Sequence, residues 1–194
     1  MTLRDEPTSW PVVGSRDIHR DSWVVGVRED DITVPDGGES FGRLVIEHPG
    51  AVAVLAIDDR GRVLVVRQYR HAVQSTVVEI PAGLLDTAGE SPLATAKREL
   101  QEEAGYAAER WTHLLTTLVS PGMTSQVFHF FLAQGLSEIG HGGFVLEHEE
   151  AYMTRDWVPF DELLTAVLAG EARNGATATA VLTYAVRRQR GEFG

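Results

Sequence analysis

Three glutamates stand close together in the stretch RELQEEAGY, residues 98–106: Glu99, Glu102 and Glu103. Positions three and four residues apart share one side of a helix, so these like charges would cost roughly 0.2–0.5 kcal/mol per pair. Arg98 can compensate Glu102, but the base then precedes the acid, which is the less favourable order. A bound divalent cation is therefore the simplest reason for the cluster, because carboxylate oxygens are ligands that hard cations prefer.

Local signals mark both ends of the helix that would carry this cluster. Ser91 is a good N-cap, Pro92 suits the first helical position, and Gly105 suits the position after the last turn. These signals predict a helix over residues 92–104. Its apolar residues recur every three or four positions and would pack on a sheet: Leu93, Ala96, Leu100 and Ala104.

Composition narrows the class of protein. The chain has 194 residues, 43% of them hydrophobic, which is enough for one domain or for one domain with an appendage. The amino terminus is charged and no stretch is apolar enough to span a membrane, so we expect a cytoplasmic protein without membrane contact. Without cysteine, the chain has no disulfides, thiol nucleophiles or cysteine-based zinc sites. The net charge of -11 argues against a nucleic-acid partner, although a small anionic substrate can still bind through a metal ion.

Hydrophobic patterns indicate a mixture of strands and helices. Residues 8–48 contain short β-type runs broken by turns, which predicts a β-rich leader that includes separate strands at SWVVGVRE, DITV and FGRLVIEH. Two β-branched runs on either side of residues 58–61 predict a β-hairpin. Further strands are predicted from residue 76 to Pro81 and at 113–119, 126–133 and 151–158, and helices at 160–170 and 176–190.

The stretch GLLDTAGESPLATAKRELQEEAGY resembles the Nudix box, in which a glycine, a glutamate and the run Arg-Glu-aliphatic-x-Glu-Glu-x-Gly-aliphatic stand at fixed spacing. The matching residues are Gly83, Glu90, Arg98, Glu99, Leu100, Glu102, Glu103 and Gly105. Two positions depart from the motif: one residue more than usual separates Gly83 from Glu90, and Tyr106 replaces the terminal aliphatic. The resemblance implies an α/β fold, the Nudix α/β/α sandwich around a mixed sheet, and hydrolysis of a nucleoside diphosphate linked to another group.

The same resemblance implies roles for the residues of the box. Glu99 and Glu103 would bind the metal with Glu102 assisting, and the Ala82 carbonyl would be a further ligand. Arg98 would orient the carboxylates. Magnesium is the expected metal, with manganese as the alternative, because magnesium is commonly held by a few carboxylates together with substrate phosphates.

Segments outside the box resemble the ADP-ribose pyrophosphatase branch of the family. These segments are RQYRHAV, EIPAGLLD, SPGMTSQ and the β-rich leader, and the resemblance extends from about residue 23 to the last helices. In that branch the leader exchanges between protomers. The resemblance therefore implies a homodimer, with residues 1–48 as an N-terminal antiparallel β subdomain for dimerisation and residues 49–194 as the catalytic domain.

The branch also implies substrate-binding residues. Arg70 and Arg43 would bind the diphosphate, for which a guanidinium fork is suited. Trp23 and Phe41 would stack on the adenine. Gln126 stands where relatives often carry glutamate, and the loss of that negative charge leaves the preferred sugar nucleotide open.

A general base is expected from a late loop, which in this chain corresponds to EHEEAYM. Glu149 is the first choice, Glu150 the second, and Glu147 a more remote one. A carboxylate at this place can deprotonate the attacking water, orient it, or bind an additional metal ion. The sequence does not distinguish these roles.

The function expected from these residues is magnesium-dependent hydrolysis of ADP-ribose to AMP and ribose 5-phosphate. The alternative on the same scaffold is another small-molecule nucleotide sugar such as GDP-mannose or ADP-glucose. A domain that only senses nucleotides would have a degraded box and an attached DNA-binding domain, and this chain has neither. An RNA-decapping enzyme would require a basic surface, which the net charge opposes.

Overall fold

A computed structural model describes residues 3–20, 25–145 and 147–193. The chain divides into two units, one comprising Met1–Pro49 with Leu118–Gln126 and the other comprising Gly50–Thr117 with Val127–Gly194. No helix within the described residues is long and apolar enough to cross a membrane. The expected assignment of residues 1–48 to dimerisation and 49–194 to catalysis concerns the roles of these parts, and it stays a prediction.

The first unit contains a three-stranded antiparallel sheet in the order β1-β2-β3. Its strands are β1 (Val12–His19), β2 (Gly26–Ile32) and β3 (Phe41–Glu47). The β-rich leader is thus confirmed, but the expectation of separate strands at SWVVGVRE and DITV is wrong, because β2 runs through both segments. Sequence patterns also missed β1, which is exposed along nearly its whole length and so lacks a regular apolar face.

The second unit is built from two sheets, β10-β5-β6 and β7-β4-β9-β8. The strands and helices after β3 are β4 (Ala51–Ala56), β5 (Arg62–Arg70), β6 (Ser75–Glu79), β7 (Ala82–Leu84), α1 (Pro92–Ala104), β8 (Tyr106–Leu118), β9 (Val127–Glu138), β10 (Thr154–Pro159), α2 (Phe160–Leu168) and α3 (Gly175–Gln189). β4 pairs in parallel with β9 and antiparallel with β7, so the sheet is mixed.

Strand β4 is buried on both faces and so separates two apolar clusters. Ala53 and Leu55 belong to the cluster that includes residues of α2 and α3, such as Phe160 and Val181. The alternate residues of β4 pack with the cluster on α1, whose buried members include Leu100. Helices therefore cover both faces of the mixed sheet, which confirms the α/β/α arrangement expected from the sequence.

Helix α1 begins and ends where the sequence predicts. The Ser91 hydroxyl accepts a hydrogen bond from the Ala94 N–H at 3.2 Å, and Gly105 adopts a left-handed conformation with φ of 77°. One expectation is wrong: Leu93 is not part of the buried stripe but is 36% exposed. Two polar residues are buried instead, Thr95 and Glu103.

The predicted β-hairpin around residues 58–61 is wrong in one respect. The turn forms, since the Gly61 N–H donates to the Asp58 carbonyl at 2.9 Å. The strands that it joins nevertheless enter different sheets, and only a single bridge links Ile57 to Val63. Strand β4 is buried on both faces and pairs with β7 and β9, whereas β5 pairs with β6 and β10.

Candidate active site

Glu103 is a buried carboxylate near the end of α1. It is 7% exposed, and one of its oxygens accepts a hydrogen bond from the Ala82 N–H at 3.0 Å. Burial raises the pKa of Glu103 to about 8, while the Ala82 hydrogen bond opposes the rise and the charge of Glu99 adds to it. A carboxylate held in this way is an incompletely compensated anion once it ionises, and a bound cation would stabilise that form.

Glu99 lies one turn earlier and is placed directly against β7. A β-carbon built on Gly83 would be 2.0 Å from the Glu99 carboxyl carbon and 2.1 Å from Oε1. Only glycine therefore leaves room for this carboxylate. Burial raises the pKa of Glu99 to about 7, against the charge of Arg98 and together with the charge of Glu102.

Arg98 is the centre of an acidic network. Its Nη1 donates to Glu99 at 2.7 Å and to Glu102 at 2.9 Å. Its Nη2 donates to Glu90 at 3.2 Å. The hydrogen bonds from Arg98 hold the pKa of Glu90 below its ordinary value, with a further contribution from the Thr95 hydroxyl. Arg98 thus contacts the carboxylates that it was expected to orient, although its role in catalysis stays a prediction.

The predicted metal ligands form a set of hard oxygen donors, which suits a divalent cation. Glu99 and Glu103 project from one helix toward β7, which includes Ala82. Within the described residues, however, no group of three acidic or histidine side chains is already arranged around a common point. Arg98 accounts for part of this, because it holds Glu99 and Glu102. The donor set fits a cation if Arg98 gives up or shares these carboxylates.

A cavity of about 770 Å³ lies beside the end of β5 in the same unit. Arg70 contributes to its wall, as do residues 143–145 and 147–150. Arg70 makes a bidentate contact with Glu79, with Nε at 3.0 Å and Nη2 at 2.6 Å from the two carboxylate oxygens. The hydrogen bonds to Glu79 hold the pKa of Arg70 above its ordinary value. The cavity wall therefore includes one oriented guanidinium, a group suited to phosphate oxygens.

The loop carboxylates that sequence analysis singled out also line this cavity: Glu147, Glu149 and Glu150. Glu149 is exposed, whereas Glu150 is partly buried at the start of a short 3₁₀ turn. Burial is the main cause of the raised pKa of Glu103, and the Ala82 hydrogen bond opposes it. The charges of Glu99 and Glu150 raise the pKa further. The charge of Glu150 therefore acts on the acidic helix. The sequence alone could not show this interaction, and it ranked Glu149 above Glu150.

The remaining predicted substrate contacts belong to the first unit. The Arg43 guanidinium carbon lies 4.3 Å from the centroid of the Phe41 ring, and its Nη1 donates to the Gly42 carbonyl. The Nε2 atom of Gln126 lies 3.3 Å from the Nε2 atom of the His48 ring. Trp23 lies outside the described residues.

Sequence reasoning missed the partners that hold these groups. Glu79 is 4% exposed, whereas the sequence patterns predict only that it belongs to a strand. A glutamate between apolar neighbours in TVVEIP indicates a buried ion pair, because buried carboxylates are almost always paired. Asn174 was also missed, although asparagine before a predicted helix is a common N-cap. The contact of Gly83 with Glu99 was also missed, since the motif alone does not show which side chain the glycine makes room for.

The chain is similar to known proteins in sequence and in fold. A sequence model of the NUDIX domain matches residues 47–179. The chain is 41% identical over 170 residues to the ADP-ribose pyrophosphatase of Mycobacterium tuberculosis, which covers 88% of this chain and 80% of that protein. It is 38% identical over 158 residues to the ADP-ribose pyrophosphatase of Bacillus subtilis, over 81% of this chain and 83% of the relative. A crystal structure of an ADP compounds hydrolase shares the fold, with a TM-score of 0.78 at 19% identity over 98% of this chain and 100% of that one.

Proposed function

The chain belongs to the Nudix family, and we propose that it hydrolyses ADP-ribose to AMP and ribose 5-phosphate with magnesium as its metal. The observation that carries the proposal is the likeness to two ADP-ribose pyrophosphatases over at least four-fifths of the chain. An acidic helix and a cavity whose wall includes Arg70 support it, because a diphosphate is bound by a cation together with a guanidinium.

The metal-binding residues in this proposal are Glu99 and Glu103, with Glu102 assisting and the Ala82 carbonyl as a further ligand. Nudix proteins generally use divalent metal ions. Magnesium suits carboxylate ligands, and manganese is the alternative metal. When bound, the metal would polarise the diphosphate and neutralise charge on the leaving oxygen. Arg98 donates to Glu99 at 2.7 Å and to Glu102 at 2.9 Å, and it would share or release these carboxylates when the metal binds.

Arg70 is the proposed contact to the diphosphate. A guanidinium has about five N–H donors, so the two that Glu79 accepts leave others for phosphate oxygens. Arg43 would make a second phosphate contact, and Phe41 and Trp23 would stack on the adenine. Arg43, Phe41 and Trp23 belong to residues 1–48, the part proposed to exchange between protomers. Both protomers of the dimer would then bind one substrate.

Hydrolysis requires a base for the attacking water. As water attacks one phosphorus, its proton passes to a carboxylate, and the bridging oxygen leaves with the other phosphoryl group. We assign this base to the pair Glu149 and Glu150, because both line the cavity that includes Arg70. Glu150 is favoured by its electrostatic influence on Glu103 and on Arg70.

A homodimer with exchanged N-terminal strands is part of the proposal. Strand β1 leaves three apolar side chains exposed, at 57% for Val12, 62% for Val13 and 51% for Ile18. An exposed apolar patch marks an interaction surface, and we assign these three residues to the surface that a second chain covers. A second copy of this chain is the occupant that the resemblance implies.

Another sugar nucleotide is the second candidate substrate, and Gln126 is the observation that favours it. Its amide and the His48 ring nitrogen form a neutral contact at 3.3 Å. Burial lowers the pKa of His48, which keeps this pair uncharged. A glutamate at position 126 would instead place a negative charge beside the substrate loop.

The experiment that tests the proposal compares kcat/KM for ADP-ribose, ADP-glucose, GDP-mannose and diadenosine polyphosphates with purified protein and magnesium. We expect ADP-ribose to be preferred, with AMP and ribose 5-phosphate as products. Preference for another sugar nucleotide would retain the chemistry and replace the substrate. Binding without turnover of any compound would instead indicate a nucleotide-sensing domain.

A further inference from the structure

A chain of hydrogen bonds connects Arg70 to the start of helix α3. We propose that Asn174 is a positioning residue for Arg70, acting through the buried carboxylate of Glu79. This inference rests on the proposed function, in which Arg70 binds the diphosphate. It assigns a role in substrate binding to the N-terminal end of α3, which carries none of the residues predicted from the sequence.

Glu79 is held from two sides. Arg70 donates to both of its oxygens, at 3.0 Å from Nε and 2.6 Å from Nη2. The Asn174 amide donates to Oε1 at 3.1 Å. Because Glu79 is only 4% exposed, water cannot readily replace a donor that is lost. The position of the carboxylate therefore depends on the amide as well as on Arg70.

The orientation of the Asn174 amide is determined by the helix that it caps. Its Oδ1 accepts from the Thr177 N–H at 2.9 Å and from the Thr177 hydroxyl at 3.2 Å. That hydroxyl in turn accepts from the Ile80 N–H at 3.2 Å. With Oδ1 committed to the cap, only Nδ2 can face Glu79, so a flipped amide would lose these contacts and direct an oxygen at a carboxylate.

This arrangement distinguishes asparagine from other good N-caps. Aspartate and serine would also accept from the Thr177 N–H, so the helix would keep its cap. Neither can donate an amide N–H to Glu79, and aspartate would add a negative charge beside it. The side chain at position 174 therefore serves two functions, of which capping needs only an oxygen and positioning needs the amide nitrogen.

Without the amide, Arg70 would have to compensate Glu79 alone. The guanidinium fork would then shift toward the unsatisfied oxygen or share its phosphate-binding donors with it. A charge-assisted hydrogen bond to a buried group contributes roughly 1.5–3 kcal/mol, which corresponds to a change of about 10- to 100-fold in an equilibrium constant. The effect should appear in substrate binding, because Arg70 is assigned to the diphosphate and not to the attacking water.

The test uses Asn174→Asp and Asn174→Ser, with Gly175→Ala as the matched control at the adjoining position. A β-carbon on Gly175 meets no atom within 4 Å, so this control should keep wild-type kinetics. We expect Asn174→Ser to raise KM for ADP-ribose by about 10-fold and Asn174→Asp, which also adds a negative charge, by more than that, with kcat changed less than 3-fold. In an Arg70→Lys background, Asn174→Asp should have little further effect, since coupled residues are non-additive. An unchanged KM, or an equal effect in both backgrounds, overturns the proposal.

A second measurement does not depend on turnover. The Arg70 Nε–H signal in a proton–nitrogen correlation spectrum, assigned by its loss in Arg70→Lys, should shift or broaden in both Asn174 variants. Affinity for inorganic pyrophosphate should fall in the same order as KM rises. If the wild type does not hydrolyse ADP-ribose, the proposed function fails, whereas the spectrum and pyrophosphate binding still decide the role of Asn174. An unaltered Arg70 signal together with unaltered pyrophosphate affinity refutes that role.

Discussion

Gly83 and Glu99 are so close that a β-carbon at position 83 would stand 2.0 Å from the Glu99 carboxyl carbon. Real β-carbons do not come that close to another atom, so Glu99 can hold this position only while residue 83 is glycine. The glycine is needed for space rather than for backbone conformation, since its φ is not in the left-handed region. The first glycine of the predicted motif therefore has a steric explanation in a side chain sixteen residues later.

The first prediction follows from this relationship. Gly83→Ala should displace Glu99 and lower metal-dependent kcat/KM by about 100-fold or more, because a misplaced catalytic group costs that much. The measurement is a magnesium titration of activity, with circular dichroism to show that the fold is retained. Gly175→Ala is the control, since a β-carbon there meets no atom within 4 Å. Wild-type activity of Gly83→Ala would mean that Glu99 does not need its present position.

The second prediction concerns stability in the absence of metal. The folded-state pKa values of Glu99 and Glu103 are about 7 and about 8, above the ordinary value of 4.5. The folded protein therefore binds more protons than the unfolded chain, so its stability should fall as the pH rises from 4.5 to about 8. Metal binding requires the ionised carboxylates, and added magnesium should restore most stability at the alkaline end.

Thermal unfolding of the EDTA-treated protein at several pH values measures this effect. We expect Tm to fall by roughly 5 °C or more between about pH 5.5 and pH 8.5, and magnesium to reduce that difference. Glu103→Gln is the control, because a neutral amide cannot titrate, so the fall in Tm should shrink to the part that Glu99 contributes. A Tm that rises over the same pH interval would contradict the raised pKa of both carboxylates.

The extent to which the sequence predicted this structure depends on the range of the interactions involved. The ends of α1 follow from Ser91 and Gly105, whose signals act within one helical turn, and both were predicted correctly. Leu93 was misplaced because periodicity alone does not show how far a sheet extends beneath a helix. The acidic cluster was recognisable because its members are neighbours in the chain.

Long-range partners could not be predicted in the same way. Glu79 and Asn174 are 95 residues apart, and no local pattern states that the amide of one faces the carboxylate of the other. The two sheets present the same difficulty, since the turn after β4 resembles a hairpin while β4 and β5 pair with other strands. A turn at residues 58–61 therefore does not determine which strands pair.

A third prediction separates the two candidate bases. Sequence analysis ranked Glu149 first, whereas the partial burial of Glu150 and its effect on Glu103 favour Glu150. We expect Glu150→Gln to lower kcat by about 10²- to 10⁴-fold with little change in KM, which is the range for loss of a general base. Glu149→Gln should reduce kcat less and serves as the matched comparison. The opposite order, measured under saturating ADP-ribose and magnesium, would restore Glu149 as the base.

The fourth prediction concerns assembly through β1. Light scattering at micromolar concentration should give about twice the 21.2 kDa mass of one chain, because the exposed apolar residues of β1 would be covered by a second copy. The double variant Val13→Asp/Ile18→Asp should shift the mass toward one chain and reduce kcat/KM, since charges would then enter the interface. Leu168→Asp is the control, as Leu168 is 71% exposed and lies at the end of α2, outside residues 1–48. A single-chain mass for a fully active wild type would exclude a substrate site shared between protomers and would assign the whole of catalysis to one copy.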